Sequence, residues 1–271
     1  ADAVFRQKLR ESPESAVEEY RSYMMHHEDE PLNPGTGFPL IKALMSLNQF
    51  QPERETPLVE IVVMSRNSPE TGIRVLHNIR KQNLEITRSA FTGGESVVDY
   101  LEAYDVDLFL TTSSDDAQKV IDSGSCAAAI VKEPPNSLTK LPENQVRLAF
   151  DGDAVLFSDE SEIIYKPEGL EKFRKIEDQQ QDNPLNDGPY ATLLKKLSRL
   201  QERLPHKVEN SPVRIAIVTA RNSPAEMRVI KTLRYWGVYV DEIFFLGGLD
   251  KSKILKAFKA HIFFDDQDMH L

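Results

Sequence analysis

The segment Arg147-Leu-Ala-Phe-Asp-Gly-Asp-Ala-Val-Leu-Phe157 places two aspartates, spaced by one glycine, directly after an apolar run. The run Val146–Phe150 is short and apolar, which is typical of a buried parallel strand. Asp151 and Asp153 therefore follow the end of that strand, and open parallel α/β sheets bind ligands outside the carboxyl ends of their strands. An Asp-x-Asp pair alone also fits a turn or a helix cap, so the prediction of a site depends on the rest of the chain.

Two further apolar runs also end in polar side chains. Ile215-Ala-Ile-Val-Thr219 ends in a hydroxyl, and His261-Ile-Phe-Phe-Asp265 ends in a carboxylate that Asp266 follows. Lys251 precedes the helix that leads into the second of these runs. Taken singly, these groups fit a strand-end cap, a solvated lysine and a polar strand terminus. Because the carboxyl ends of parallel strands share one edge of the sheet, we expect these groups to gather there.

Short apolar runs alternate with helical patterns along most of the chain. Strands are predicted at 58–64, 84–91 (mixed with loop), 107–110, 127–131, 146–150, 213–218, 240–246 and 261–264, and helices at 12–25, 38–47, 70–81, 96–104, 117–123, 190–203, 225–236 and 251–258. This alternation predicts an α/β fold with a parallel sheet covered by helices on both faces. We expect a helical arm over 1–57, an α/β half over 58–140, and a catalytic core over 141–271 with a polar, helical insert at 158–210.

The two α/β halves resemble each other. Met64-Ser-Arg-Asn-Ser-Pro69 aligns with Thr219-Ala-Arg-Asn-Ser-Pro224, and Phe91-Thr-Gly-Gly94 aligns with Phe245-Leu-Gly-Gly248. The two halves share the order of strand, loop, helix and glycine pair, and this predicts an internal duplication. In this alignment the groups expected to carry chemistry are replaced in the first half: Thr219 by Met64, Lys251 by Val97, and Asp265 and Asp266 by Thr111 and Thr112.

The first half is therefore expected to be degenerate, kept for structure, ligand binding or regulation. It continues after Thr112 through a helix at 117–123 and a strand at 127–131. The second half stops at Leu271, shortly after Asp266. The repeat thus predicts a last helix and strand that this sequence does not contain.

The order Asp-x-Asp, Thr or Ser, Lys and an acidic pair resembles the haloacid-dehalogenase superfamily of phosphatases, whose Rossmann-like fold it implies. Asp151 then fits the nucleophile, since a carboxylate can attack phosphorus and form an aspartyl-phosphate. Asp153 would protonate the leaving oxygen and later activate water. The Thr219 hydroxyl would donate to a phosphoryl oxygen, and Lys251 would offset the charge of phosphate and nucleophile.

Mg²⁺ is the cofactor that this resemblance implies. Mg²⁺ prefers oxygen ligands and usually takes only one or two carboxylates. Asp151, Asp265, Asp266 and the carbonyl of Asp153 are the expected ligands. The insert at 158–210 would form a cap over the site, and a surface decoration is the alternative.

A closer resemblance, to the cytosolic 5'-nucleotidase type I family, runs from about Glu18 to the end. The segments that carry it are Phe38-Pro-Leu-Ile-Lys-Ala-Leu44, Thr92-Gly-Gly94, Ala149-Phe-Asp-Gly-Asp-Ala-Val-Leu-Phe-Ser-Asp-Glu-Ser-Glu162, Val218-Thr-Ala-Arg221, Thr232-Leu-Arg-Tyr-Trp-Gly237 and His261-Ile-Phe-Phe-Asp-Asp-Gln267. The resemblance implies Mg²⁺-dependent hydrolysis of nucleoside 5'-monophosphates, typically AMP, in the cytoplasm. It also implies a homo-oligomer and activation by a nucleotide such as ADP.

Substrate recognition is expected at Thr219, Ala220, Arg221 and Asn222, although a helix start explains Arg221 and Asn222 equally well. Two alternatives to a 5'-nucleotidase remain at this point. One is a related phosphatase acting on sugar phosphates or other small phosphomonoesters. The other is a non-catalytic nucleotide-binding regulator, which the complete set of six chemical groups opposes.

Composition excludes some other classes of function. The net charge is -10, which argues against non-specific binding to nucleic acid or to anionic membranes. The sequence has a single cysteine, Cys126, so it contains no internal disulfide. Cys126 is expected to be a small, buried, hydrophobic side chain. No apolar stretch approaches the ~20 residues of a membrane span, and no signal-peptide core is present at the start. We therefore expect a cytoplasmic protein.

Overall fold

The computed structural model describes residues 13–51, 56–131, 142, 144–159, 171–205 and 211–265. The chain divides into two compact units. The first unit comprises Ala1–Gly35 and Glu60–Asp105, and the second comprises Thr36–Val59 and Val106–Leu271. These boundaries differ from those of the arm, half and core expected from the sequence, and that division stays a prediction.

Helices and short parallel strands alternate in both units. In chain order they are α1 (Pro13–His26), α2 (Phe38–Ser46), β1 (Val62–Ser65), α3 (Pro69–Lys81), β2 (Arg88–Phe91), β3 (Leu108–Thr111), α4 (Ser114–Ser123), β4 (Ala127–Ile130), β5 (Val146–Phe150), α5 (described over 171–179), α6 (Ala191–Glu202), β6 (Val213–Thr219), α7 (Glu226–Trp236), β7 (Glu242–Phe245), α8 (Ser252–Phe258) and β8 (Ile262–Phe264). The predicted α/β class is confirmed. Across the described ranges, every helix is too short or too polar to cross a lipid bilayer.

One predicted element has a different structure. The helix expected over 96–104 is two short 3₁₀ helices, Val98–Tyr100 and Glu102–Tyr104, and Asp105 follows in the left-handed region with φ 53°. The β-branched pair Val97 and Val98 opens this segment, and such residues lose side-chain freedom in an α-helix. Short 3₁₀ turns are the usual alternative for a stretch of this length.

A four-stranded parallel sheet forms the centre of the second unit, with strand order β7-β6-β5-β8. Phe150, at the end of β5, pairs with Ile217 of β6 on one side and with Phe264 of β8 on the other. β3 and β4 form a separate parallel pair in this unit, and β1 and β2 form one in the first unit. β5 is thus central, and its carboxyl end is flanked by those of β6 and β8.

The two faces of this sheet bury different sets of side chains. Leu148, Phe150, Ile215 and Ile217 belong to a large core that also includes residues of α2, α6 and α7. Alternate residues point the other way. Ala149 and Ala216, both 0% exposed, pack with Val218 and with Phe258 of α8. Helices therefore cover both faces, and the face under α8 is lined by small side chains.

The turns after β1 and β6 have the same hydrogen-bond pattern. The Asn67 amide donates to Ser65 Oγ at 3.1 Å, and the Arg221 amide donates to Thr219 Oγ1 at 3.2 Å. Ser65 ends β1 as Thr219 ends β6. Ser65, rather than Met64, is therefore the structural counterpart of Thr219. The expected loss of this hydroxyl from the first half is wrong. The sequence alignment paired identical residues of the two turns, and this shifted the strand ends by one residue relative to each other.

The chain after Asp153 is fixed by backbone hydrogen bonds to the loop that precedes α6. The Gly188 amide donates to the Leu156 carbonyl at 2.8 Å, and the Ser158 amide donates to the Asn186 carbonyl at 3.0 Å. The two segments lie so close that only glycine fits at position 188. This contact attaches the insert to the turn that carries the two aspartates.

Replacing Gly188 by alanine is expected to lower the free energy of unfolding by about 1–3 kcal/mol, the usual cost of overpacking. A Cβ atom there would lie 2.5 Å from the carbonyl oxygens of Val155 and Phe157, which are backbone atoms and cannot rotate away. Chemical denaturation would measure the change. Gly35→Ala is the control, since its Cβ would meet no atom within 4 Å. Equal effects of the two substitutions would contradict this account.

Candidate active site

The carboxyl ends of three neighbouring strands bring together most of the predicted site residues. Asp151 follows β5, Thr219 ends β6 and Asp265 follows β8. The Asp151 amide donates to the Phe264 carbonyl at 2.8 Å, which joins the β5 and β8 ends directly. The sheet order itself therefore places two carboxylates and a hydroxyl at one edge, as the sequence predicted.

Asp151 is a buried carboxylate with few but specific partners. Only 6% of the residue is exposed. Its Oδ2 accepts a hydrogen bond from Lys251 Nζ at 2.6 Å, and its Oδ1 accepts one from the Gly152 amide at 2.7 Å. Burial raises the pKa of Asp151 to about 6, and the charge of Asp265 adds to the rise, while the hydrogen bonds from Lys251 and Gly152 oppose it.

Lys251 lies directly before α8, and its ammonium group is buried beside two carboxylates. The residue is 4% exposed, and Nζ lies 2.6 Å from Asp151 Oδ2 and 3.4 Å from Asp265 Oδ2. The ring of Phe263 contributes a cation–π contact at 5.5 Å from its centroid. Lys251 is therefore not a solvated surface lysine. It is the cation that links the nucleophile candidate to the end of β8.

The residues around Lys251 suit a divalent metal ion. Two carboxylates, Asp151 and Asp265, face one ammonium group, so negative charge exceeds positive charge among these three side chains. Within the described ranges, no group of three or more His, Cys, Asp or Glu residues is arranged to hold a metal. Mg²⁺ needs only one or two protein carboxylates beside waters, so Asp151 and Asp265 fit it. The Asp153 carbonyl stays a predicted ligand. Asp266, the fourth expected ligand, lies outside the described residues.

Asp153 is engaged differently, by Arg221. The guanidinium donates from Nε to Oδ2 at 2.9 Å and from Nη2 to Oδ1 at 2.6 Å. This is a bidentate pair, which fixes the orientation of the carboxylate as well as its charge. The carboxylate is thus turned toward Arg221, and the metal ligand expected from this residue is its carbonyl oxygen.

Arg221 continues into a chain of buried ion pairs that sequence analysis missed. Its Nη1 donates to Glu177 Oε2 at 2.6 Å, and Arg228 Nη1 donates to Glu177 Oε1 at 2.9 Å. Burial disfavours the charge on Arg221, but the hydrogen bonds and charges of Asp153 and Glu177 outweigh it and raise its pKa. We call Asp153, Arg221, Glu177 and Arg228 the buried ion-pair chain. Glu177 lies on α5 in a polar segment without a motif, so no sequence signal distinguished it from solvated glutamates.

The four residues expected to bind substrate have different surroundings. Thr219 is 1% exposed, and its Oγ1 would lie 3.0 Å from a Cβ atom built on Gly152, so the hydroxyl is directly beside the turn between the two aspartates. Ala220 is exposed. The Asn222 side chain packs against Gly247, where an added Cβ would lie 3.1 Å from its amide nitrogen. Arg221 is directed to the two carboxylates described above. Substrate contacts of all four stay a prediction.

Comparison with known proteins adds an independent observation. Residues 2–271 match the 5'-nucleotidase family. The chain is also similar to human "Cytosolic 5'-nucleotidase 1B", with 37% identity over 265 residues that cover 95% of this chain and 43% of the relative. The chain therefore spans less than half the length of that relative. No solved structure gives a significant match. Because the family match extends over nearly the whole sequence, the chain belongs to the 5'-nucleotidase family.

Proposed function

We propose that this chain is a Mg²⁺-dependent 5'-nucleotidase that hydrolyses nucleoside 5'-monophosphates, with AMP as the expected substrate. The observation that carries the proposal is the buried Asp151 carboxylate, held by Lys251 at the end of the central strand in a chain of this family. The name of the human relative supports the substrate class and the cytosol as the compartment.

The reaction is proposed to run in two steps. In the first, a carboxylate oxygen of Asp151 attacks phosphorus and the bond from phosphorus to the 5' oxygen breaks. Asp153, which must hold a proton at this stage, gives that proton to the departing oxygen. In the second, water attacks the aspartyl-phosphate while Asp153 takes the proton, which releases phosphate and restores Asp151. A bound Mg²⁺ would supply charge neutralisation between nucleophile and phosphoryl group.

Two other groups are assigned supporting roles. Lys251 holds the attacking carboxylate in place and balances part of the negative charge that gathers when a phosphate enters. The Thr219 hydroxyl, beside Gly152, is close enough to the aspartate turn to donate to a phosphoryl oxygen. Phosphoryl transfer requires positioning and electrostatic stabilisation above all, and both roles are of that kind.

The finer architecture is part of the same proposal. We assign the haloacid-dehalogenase type of fold to the catalytic core, a cap to the insert at 158–210, and a degenerate repeat to the first α/β half. Glu177 of the insert contacts Arg221, which supports the cap assignment. The matching turns after Ser65 and Thr219 support the repeat. Activation by a nucleotide and a homo-oligomeric state are proposed from the family resemblance alone.

Phosphate release from AMP tests the chemistry. Wild-type protein should release phosphate with Mg²⁺ and lose this activity in EDTA. Asp151→Asn should lower kcat by at least about a thousandfold, since it removes the nucleophile and the aspartyl-phosphate path with it. Asp122→Asn, which changes an exposed carboxylate on α4, is the matched control and should keep wild-type activity.

Three outcomes separate the alternatives. Release from sugar phosphates but not from AMP would favour a phosphatase of another small phosphomonoester. AMP binding without any release would favour a nucleotide-binding regulator. Full activity in Asp151→Asn would disprove the assigned nucleophile.

The affinity for Mg²⁺ is expected to depend on pH in a defined direction. Without metal, the pKa of Asp151 is about 6, so this carboxyl is protonated at lower pH and Mg²⁺ must displace the proton. Affinity should be nearly constant above pH 7 and fall about tenfold per unit below pH 6, since one proton competes with the ion. Calorimetric titration at pH 5, 6, 7 and 8 would measure it. A constant affinity from pH 5 to 8 would contradict the combination of a raised pKa and metal binding at Asp151.

A further inference from the structure

The buried ion-pair chain has one end in the insert and the other at the candidate acid. Glu177 is 0% exposed, and the side chains of Arg221 and Arg228 are 2% and 6% exposed. The Asp153 side chain is 19% exposed. Arg228 is in turn fixed by its Nε, which donates to the Asn183 carbonyl at 2.9 Å. Of these four side chains, Asp153 is thus the one that a substrate can reach.

We propose that Glu177 is a positioning residue for Asp153, acting through Arg221. The proposal rests on the proposed function, in which Asp153 gives a proton to the leaving 5' oxygen. Glu177 itself touches neither substrate nor reacting atoms. Its role is to fix the plane of the guanidinium, and the guanidinium in turn fixes the direction of the Asp153 carboxylate.

The geometry supports this role because an arginine side chain has several rotatable bonds, whereas its fork of donors is rigid. One edge of the fork, Nε and Nη2, is occupied by Asp153. The remaining nitrogen, Nη1, is occupied by Glu177, and the Phe173 ring lies against the group with its centroid 5.7 Å away. Contacts on both edges and on one face define the position and tilt of the guanidinium, which contacts to Asp153 alone would not do.

The charges support the same conclusion. With all four side chains charged, the buried ion-pair chain holds two carboxylates and two guanidinium groups and is neutral as a set. Asp153 takes up a proton before it acts as the acid. Buried ion pairs of this kind often give less stability than apolar side chains of the same size. Precise orientation of hydrogen-bonding groups is what the paired charges provide and apolar packing lacks. That orientation matters at Asp153, the end nearest the proposed chemistry.

The role predicts a selective defect. A nucleoside 5'-alkoxide is a poor leaving group and needs a proton as it departs, whereas a thiolate leaves without one. A misdirected Asp153 should therefore slow hydrolysis of AMP much more than hydrolysis of its analogue with sulfur at the bridging 5' position. The two substrates share base, sugar and phosphoryl group. The parameter kcat/KM reports only the steps up to departure of the leaving group, so later water activation by Asp153 does not enter it.

The experiment compares kcat/KM for AMP and for the bridging-sulfur analogue in wild type and in Glu177→Gln, both with Mg²⁺. We expect the variant to lose about 10- to 100-fold with AMP, a part of the usual general-acid contribution, and less than about threefold with the analogue. Glu177→Asp should recover part of the AMP rate, because it restores the charge. Asp182→Asn is the control, since it lies on the same insert and contacts α7 through Lys231 without touching Arg221.

Each outcome decides the question. Equal losses with both substrates in a folded Glu177→Gln, or no loss with either, would overturn the positioning role. If that variant does not fold, the same comparison is made with Glu177→Asp, which should show the same selectivity to a smaller degree, and equal rates there would overturn the proposal. Failure of wild type to hydrolyse AMP would instead disprove the proposed function itself.

Discussion

The ion pair between Asp151 and Lys251 is the interaction on which the carboxyl edge of the sheet depends. The Asp151 side chain is only 9% exposed, and a buried carboxylate is costly to keep charged without a partner. The partner comes from a residue 100 positions later in the chain. Lys251 reaches it because α8 packs on the sheet beside β5 and β8. The same lysine contacts Asp265. Because β5 and β8 are neighbours in the sheet, one ammonium group can contact the carboxylates that follow both strands.

Charge is distributed unevenly between the two aspartates of the first motif. Around Asp153 the described carboxylates and guanidinium groups are equal in number, and each guanidinium contacts Glu177. Around Asp151, within the part of the chain that the structure describes, the carboxylates of Asp151 and Asp265 both contact the ammonium group of Lys251. The first environment suits a group that must keep one orientation, and the second suits the arrival of a cation. Only Gly152 lies between the two aspartates, yet Asp151 is paired with a lysine and Asp153 with an arginine.

Most of this arrangement was predictable from strand ends. Apolar runs followed by Asp151, Thr219 and Asp265 indicated parallel strands and one shared edge, and the resemblance to a 5'-nucleotidase family is confirmed by the family match. Glu177 and Arg228 were not predictable, since their partners lie far away in sequence and no spacing marks them. The correction at Ser65 has a similar origin. The sequence alignment matched identical residues in the two turns. The structurally equivalent residue is instead the one that ends the strand, whose side chain accepts a hydrogen bond from the amide two positions later.

The small side chains under α8 have a consequence beyond packing. Ala149 and Ala216 are completely buried on the face that α8 covers, in contact with Phe258 and the hydrophobic residues around it. Their size sets how closely the helix approaches the sheet, and the helix carries Lys251 directly before its first turn. The distance between α8 and the sheet therefore affects how closely Lys251 approaches Asp151. The small side chains of Ala149 and Ala216 thus bear on the contact between Lys251 and Asp151, although neither alanine belongs to that ion pair.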